Sequence, residues 1–392
     1  MKKLYERNIT LSYIITCLGW GRFFIPVLAL FYVASQVPLE QFGVIMGIFF
    51  LVILLLEIPS GVIADLIGKK NVIIISYGCY IIELILIAFF NGFWIFLIAK
   101  VISGVGVSLT SGASQALLYD SLKKLKREDE HKKISGTKMA LMNVSMAIVF
   151  IIGAYLFTIN YKLPAIASIP FTAAAFFVAF LYKEPYKNKR KLTFKNSFLQ
   201  FKEGMTYFWN HSYLKYIALL TLVAIPPIAI LQSYSSAYFE LILIPISLIG
   251  VIAFVASMLT AYSSKISHKI EEKIGEKKSL ILIQALMVIA TFTMALMIPY
   301  YGVLFYLIVA FVYGFGNVII NHYVNHHVES SHRATMLSIN NMFRSMGIFI
   351  LIPLTGYLIK IKSMSFSFIT LGIILVVYLV GLHIFSKNLR IK

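Results

Sequence analysis

Apolar stretches of about twenty residues recur from one end of the chain to the other, and this repetition constrains the fold more than any other feature. Hydrophobic residues make up 59% of the 392 residues and charged residues only 13%, which leaves too little polar surface for a soluble domain of this length. A helix of about 20 apolar residues crosses the roughly 30 Å hydrocarbon core of a bilayer. The runs lack the alternation of barrel strands. We therefore predict an all-α polytopic membrane protein embedded in a lipid bilayer.

The apolar runs predict twelve transmembrane helices in two pseudo-symmetric bundles of six. We place the spans at residues 9–33, 41–64, 72–90, 94–119, 137–158, 164–182, 213–237, 244–264, 279–299, 302–327, 334–357 and 364–385. The longest polar connection separates the sixth span from the seventh. The predicted units are an N-terminal six-helix bundle (1–182), a cytoplasmic linker (183–212) and a C-terminal six-helix bundle (213–392).

The second part of the linker has its own pattern. Aromatic residues and a methionine recur at helical spacing between lysines and polar residues, at Phe194, Phe198, Phe201, Met205 and Phe208. This spacing predicts an amphipathic helix on the inner membrane surface. A flexible tether is the alternative.

Basic residues are distributed unevenly over the predicted connections. The formal net charge is +19, and most of the 35 Lys and Arg residues fall in connections on the same side as the N-terminus. Only Lys162, Lys360 and Lys362 fall on the opposite side. This is the asymmetry of the positive-inside rule. We therefore expect both termini in the cytoplasm and the protein in a cell membrane, and we expect no nucleic-acid partner.

The two halves contain related segments. Gly104 and Gly106 in the fourth span correspond to Gly314 and Gly316 in the tenth, at an offset of 210 residues. The segment DLIGKK after the second span recurs as EKIGEKK after the eighth. Their consistent order indicates a duplicated six-helix unit, which is typical of secondary transporters.

The connection between the second and third spans, GVIADLIGKK at residues 61–70, carries the clearest motif. Its pattern is Gly61, Asp65, Gly68, Lys69 and Lys70, and it resembles the signature loop of the major facilitator superfamily. That resemblance implies two bundles that alternate between two open states, a central cavity lined by spans 1, 4, 7 and 10, and a monomer.

A second motif lies in the fourth span. Lys100, Gly104 and Gly106 resemble another signature of the superfamily, in which arginine normally stands at the position of Lys100. The phrases EIPSGVIAD, ALLYDSL and HRATMLS resemble a bacterial branch of exporters of drugs and small molecules. Relatives in that branch often carry glutamate where Gln115 stands, and an amide cannot titrate.

The residues of the loop suggest a contact between the two halves on the cytoplasmic side. Gly61 would let the second span approach a neighbouring helix closely, and Gly68 permits a tight turn. Lys69 is expected to pair with Asp120 at the inner end of the fourth span. Asp65 suits a helix N-terminus, and the resemblance implies the start of the eleventh span, at residues 333–335. The alternative is that Asp65 only caps the third span and that the lysines only anchor the topology.

Five charged residues lie well inside predicted spans, away from the span ends, where an ion needs a partner or a wet cavity. Arg22 in the first span either pairs with Glu57 or Glu83, or contacts the solute. Lys100 either extends to the membrane interface or takes part in coupling, and the role of Arg344 is open. Glu57 is the first candidate for a proton-responsive acid and Glu83 the second. The alternative is a carboxylate that only holds Arg22.

Several polar residues fall on the helices expected to line the cavity. These candidate solute-binding residues are Trp20, Arg22, Gln115, Tyr119, Gln232, Tyr234, Tyr238, Asn317, Asn321 and Asn325. Pro226 and Pro227 are expected to kink the seventh span. His322 and His326 have a spacing that suits zinc, but they lie at a polar helix end, and we expect neither a metal nor a cofactor.

The predicted function is secondary active transport of a small organic solute by alternating access, with efflux coupled to protons. The alternative is an importer or facilitator of an anionic or nutrient solute. No catalytic motif stands in a convincing position, so we do not expect an enzyme.

Overall fold

The computed structural model describes residues 2–186, 194–326, 328–329 and 332–388, and within these ranges every regular element is helical. Fifteen α-helices are joined by short connections and two 3₁₀ turns. The first seven helices form the N-terminal half. They are α1 (Lys2–Gly19), α2 (Leu28–Ala34), α3 (Leu39–Ile67), α4 (Lys69–Phe89), α5 (Phe93–Leu125), α6 (His131–Ile159) and α7 (Leu163–Ala179).

The remaining eight helices begin with a linker helix and continue as the C-terminal half. They are α8 (Phe194–Asn210), α9 (Ser212–Ala224), α10 (Pro226–Leu241), α11 (Ile246–Ile274), α12 (Glu276–Ala295), α13 (Gly302–His326), α14 (Arg333–Ile361) and α15 (Met364–Asn388). Helix α8 coincides with the predicted amphipathic segment, and it contacts α3, α9 and α14. The division of the chain at 182 and 213 stays a prediction.

Ten helical segments in the described ranges are long and apolar enough to cross a membrane, so this is a multi-pass membrane protein. The count of twelve spans is not confirmed. Predicted span 6 is α7, which has only 17 residues. Predicted span 1 is interrupted, because the chain leaves the helix after Gly19 and resumes an α-helix, of only seven residues, at Leu28.

The first span of each half is interrupted once, and the local sequence explains both interruptions. Residues 20–24 are non-helical, and they are flanked by glycines and by Pro26, which has no backbone N–H for a continuing helix. In the second half, α9 ends before Ile225 and α10 starts at Pro226, as the proline pair predicts.

Helix α3 packs on α14, and α6 packs on α11, so these pairs join the two halves. Glycines allow this close approach. A Cβ atom on Gly43 would lie 2.8 Å from the carbonyl oxygen of Ile352, and one on Gly250 would lie 2.4 Å from that of Phe150. Backbones in membrane proteins approach this closely only where the side chains are small.

Polar contacts join the two halves on one side of the bundle. We call the side with the start of α1, helix α8 and the end of α15 the basic side. On the opposite side, the hydroxyl of Ser236 on α10 accepts hydrogen bonds from the backbone N–H groups of Ala29 (3.1 Å) and Leu30 (3.3 Å) on α2. Lys360 and Glu40 form an ion pair of 3.5 Å there. The opposite side is therefore closed.

Candidate functional site

A cluster of three charges is buried at the interruption of the first span. Glu83 on α4 is fully buried, and its two carboxylate oxygens bind different cations. Oε2 accepts a hydrogen bond of 2.9 Å from Arg22, and Oε1 accepts one of 2.7 Å from Lys100 on α5. The Arg22 and Lys100 side chains are only 14% and 6% exposed. The cluster carries a net charge of +1 when all three groups are ionised.

The interruption brings Arg22 to this cluster, because the residue follows a helix end instead of continuing its register. The guanidinium also lies over the ring of Tyr80, 4.3 Å from its centroid. Arg22 thus pairs with Glu83, one of the two partners considered for it. Lys100 is held by Glu83 and does not extend to the interface. A carboxylate on α4 that holds one cation from the interruption and one from α5 fixes the positions of these three segments relative to one another.

A polar cleft lies in the C-terminal half, between α9, α13 and α14. Its volume is about 320 Å³ including the solvent at its mouth. The residues that line it are Thr221, Ile225, Asn317, Ile320, Asn321, Asn340, Asn341 and Arg344. The cleft therefore combines four amides, a hydroxyl and a guanidinium.

Arg344 is the only charged residue lining this cleft, and it forms no ion pair with the residues that the structure describes. Its guanidinium carbon lies 5.9 Å from the centroid of the Tyr313 ring. Asn317 donates a 3.0 Å hydrogen bond to the backbone oxygen of Tyr313. Asn340 is 92% buried, and its Oδ1 atom accepts no hydrogen bond within the described part of the chain.

Glu57 of the N-terminal half approaches the rim of the cleft. It lies on α3, and its carboxylate is within interaction distance of the side chains of Asn341 and Ser338 on α14. A carboxylate from one half therefore faces amide and hydroxyl groups from the other.

The structure brings only some predicted solute-binding residues to the cleft. Asn317 and Asn321 line it. The side chain of Asn325 lies outside the described residues. Sequence reasoning missed Asn340 and Asn341. The available signal was a pair of amides one turn before Arg344 in an otherwise apolar helix.

The aromatic candidates of the seventh span lie at the closed side. Tyr234 and Tyr238 are fully buried. The Tyr234 hydroxyl donates to the carbonyl of Leu39 at 3.2 Å, which connects α10 to the start of α3. In this conformation the two tyrosines do not line the cleft, because the packing between the halves covers them. Gln232, two residues before Tyr234, is half-buried.

The candidates of the N-terminal half lie apart from the cleft. Trp20 is half-buried within the interruption of the first span, whereas Gln115 and Tyr119 are exposed on one face of α5. The Tyr119 ring contacts the ring of His131 at 5.5 Å.

The signature loop forms one expected contact. Lys69 pairs with Asp120, and Gly68 has a φ of +91°, which favours glycine. The backbone N–H of Lys70 donates a 2.8 Å hydrogen bond to Glu184, a partner that sequence reasoning missed.

The expected contacts between halves at this loop are absent in this conformation. A Cβ atom on Gly61 would meet nothing within 4 Å, so the close helix approach expected there does not occur. Asp65 forms no hydrogen bond or ion pair within the described part of the chain, and Arg333 donates to the backbone of Val328 instead. Polar contacts between the halves occur on the opposite side instead, at Ser236 and at Glu40.

The helices are long enough to span a membrane, they form two halves that are closed on one side, and a polar cleft lies between helices of the C-terminal half. This architecture defines a membrane transporter rather than an enzyme. The chain belongs to the Major Facilitator Superfamily, which matches residues 9–351.

Solved transporters share this fold at low sequence identity. A mutant of the nucleoside transporter NupG superposes with a TM-score of 0.81 at 14% identity and covers 99% of this chain and 100% of its own. A D-xylose–proton symporter gives 0.72 at 13% identity, covering 96% and 97%. A bacterial homologue of the human lysosomal transporter Spinster, inward-facing and unoccupied, gives 0.70 at 13% identity, covering 98% and 97%.

A curated relative is similar over a shorter region. An uncharacterized transporter of Buchnera aphidicola subsp. Schizaphis graminum (strain Sg) is 31% identical over 110 residues. That region spans 28% of this chain and 26% of the relative.

Proposed function

We propose that this protein is a secondary active transporter that moves a small organic solute by alternating access, with proton coupling. The observation that supports this most is the asymmetry between the two sides of the bundle. Ser236 and Tyr234 hold the opposite side closed, while a polar cleft lies away from these contacts. Reversing this asymmetry would expose the same cleft to the other compartment.

We further propose twelve spans, with the interrupted α1–α2 segment as the first and α7 as the sixth. The basic side faces the cytoplasm of a bacterial cell, and the membrane is the plasma membrane. The distribution of Lys and Arg supports this orientation. The present conformation is then the inward-open one, and the protein works as a monomer.

Glu57 is the coupling acid in this proposal. Its carboxylate lies where the halves meet, beside cleft-lining Asn341, so gaining a proton changes the charge at the moving contact. Glu83 is the weaker candidate, because two cations hold its carboxylate in the ionised form. Gln115 cannot titrate.

Export by proton antiport is the first direction, since the phrases EIPSGVIAD and ALLYDSL resemble exporters of drugs and small molecules. Uptake of an anionic solute is the second. A specific observation favours it, because Arg344 contributes an unpaired positive charge to the cleft.

Proteoliposomes that contain a pH-sensitive dye test the proposal against a panel of neutral, anionic and cationic solutes. With solute added outside, antiport makes the lumen alkaline and symport makes it acidic. Glu57→Gln is expected to abolish the proton signal, whereas Glu272→Gln, at an exposed position, should leave it intact. Solute movement without any proton signal would refute coupling, and a folded protein that moves none of the solutes would refute transport.

A further inference from the structure

In the described part of the chain, two arginines lie inside the transmembrane bundle, and their surroundings differ. Arg22 is neutralised by Glu83 at 2.9 Å. Arg344 lines the cleft, and none of the described carboxylates lines it with Arg344. A cation at membrane depth is costly without a partner or water. The chain thus supplies a counter-ion for one arginine and leaves the other directed at the space where a solute would bind.

The amides of the cleft add a second requirement. Asparagine both donates and accepts hydrogen bonds, and four asparagines line this space. Asn321 and Asn341 are exposed in this space. A solute with O–H or N–H groups would pair with their amide oxygens as well as with their N–H groups, whereas a purely aliphatic acid would use only the N–H groups.

We infer that the cleft binds a small organic monocarboxylate that also carries hydroxyl, amine or amide hydrogens. The inference rests on the proposed function, because it assumes that this cleft is the solute site. A single guanidinium matches one carboxylate, with two parallel hydrogen bonds. A phosphate carries a charge of about −1.5 to −2 and would exceed the charge available.

Glu57 links this solute class to the proton. When Glu57 carries a proton, the charge of Arg344 is the only one at the cleft, and an anion is attracted. When Glu57 is ionised, its negative charge at the rim repels the anion. The anion and the proton therefore bind together, which predicts symport and supports the second direction proposed above, uptake, over export by antiport.

Ligand-induced thermal stabilisation of the purified full-length protein tests the inference with matched probe pairs. The pairs are lactate and lactamide, gluconate and gluconamide, and N-acetylglycine and its amide; hexanoate is the acid without further donors. At least one donor-bearing carboxylate is expected to stabilise the protein at a tenfold or more lower concentration than its neutral partner and than hexanoate. Arg344→Gln should remove this preference and Arg344→Lys should retain part of it. Lys265→Gln, an exposed cation, should leave it unchanged.

The possible results separate this inference from the proposed function. Equal effects of acids and amides, or a preference that survives in a folded Arg344→Gln protein, would overturn the carboxylate assignment while transport of neutral solutes could still be demonstrated. If no compound stabilises the protein and none moves across proteoliposomes, both the inference and the proposed function fail. The melting temperature of each variant without ligand shows whether it is folded.

Discussion

The contact of Ser236 with α2 gives a quantitative prediction about the conformational equilibrium. Helix α2 starts after the interruption, so its first backbone N–H groups have no partner within the helix. The hydroxyl of Ser236, from the other half of the protein, accepts hydrogen bonds from Ala29 and Leu30 at the second and third helical positions. It therefore acts as an N-cap that exists only while the opposite side is closed.

The size of the effect follows from this geometry. Losing an N-cap side chain costs about 0.5–2 kcal/mol, and the buried position of Ser236 places it in the upper part of that range. Because the contact is lost when the opposite side opens, Ser236→Ala penalises only the closed form. A penalty of about 1–2 kcal/mol shifts the ratio of the two forms about five- to thirtyfold toward the open one.

Distance measurements between spin labels provide the assay. Labels at Asn91 and Leu243, both exposed on the opposite side, report its opening after Cys17 and Cys79 are replaced. Ser236→Ala should enlarge the population with the longer distance. Ser233→Ala is the matched control, because that hydroxyl donates only to Ala229 in its own helix. An unchanged distance distribution in a folded Ser236→Ala protein would refute the capping argument.

Three other predictions concern stability, pH and helix approach. Glu83→Gln leaves two buried cations unpaired, which should cost about 3–5 kcal/mol and lower the melting temperature by about 4–6 °C for a chain of this length, whereas the exposed Glu272→Gln should not; a change below about 2 °C would contradict this. Burial lowers the pKa of Lys162 to about 8, so the rate of its acylation should have a pH midpoint near 8 that disappears on denaturation. Between pH 8 and about 10.4 the unfolded chain binds this proton and the folded chain does not, so the contribution of Lys162 to the free energy of unfolding should rise over that interval. Gly43→Ala should open the opposite side, because the new Cβ atom would lie 2.8 Å from the backbone oxygen of Ile352. Gly61→Ala should leave this conformation unchanged. Distances between the spin labels that respond equally to both variants would argue against this packing.

The sequence predicted the class of fold because apolar runs of membrane length are long and repetitive. It did not predict that the first span is interrupted, although Gly19, Gly21 and Pro26 were visible signals. The residues around them are apolar, so the sequence was equally compatible with a continuous span and with an interrupted one. The proline pair at Pro226 and Pro227 was easier to interpret, since a missing N–H has a direct effect on a helix.

The site was harder to predict for a physical reason. In a soluble protein a polar face identifies the solvent side of a helix. In a membrane protein both the lipid and the protein interior are apolar, so the sequence gives only a weak indication of which face of α14 lies toward the cleft. Asn340 and Asn341 were missed for this reason. Tyr234 and Tyr238 were expected in the cavity, yet their environment depends on which side of the transporter is closed.

The pairing of Arg22 with Glu83 has a consequence for biogenesis. The two residues are 61 positions apart, so the arginine leaves the ribosome two helices before its counter-ion. The first span carries basic residues and its helix is interrupted, so we expect it to insert poorly into the membrane on its own. We expect it to remain near the lipid headgroups until the hairpin with Glu83 arrives, which makes its integration cooperative with that of later helices.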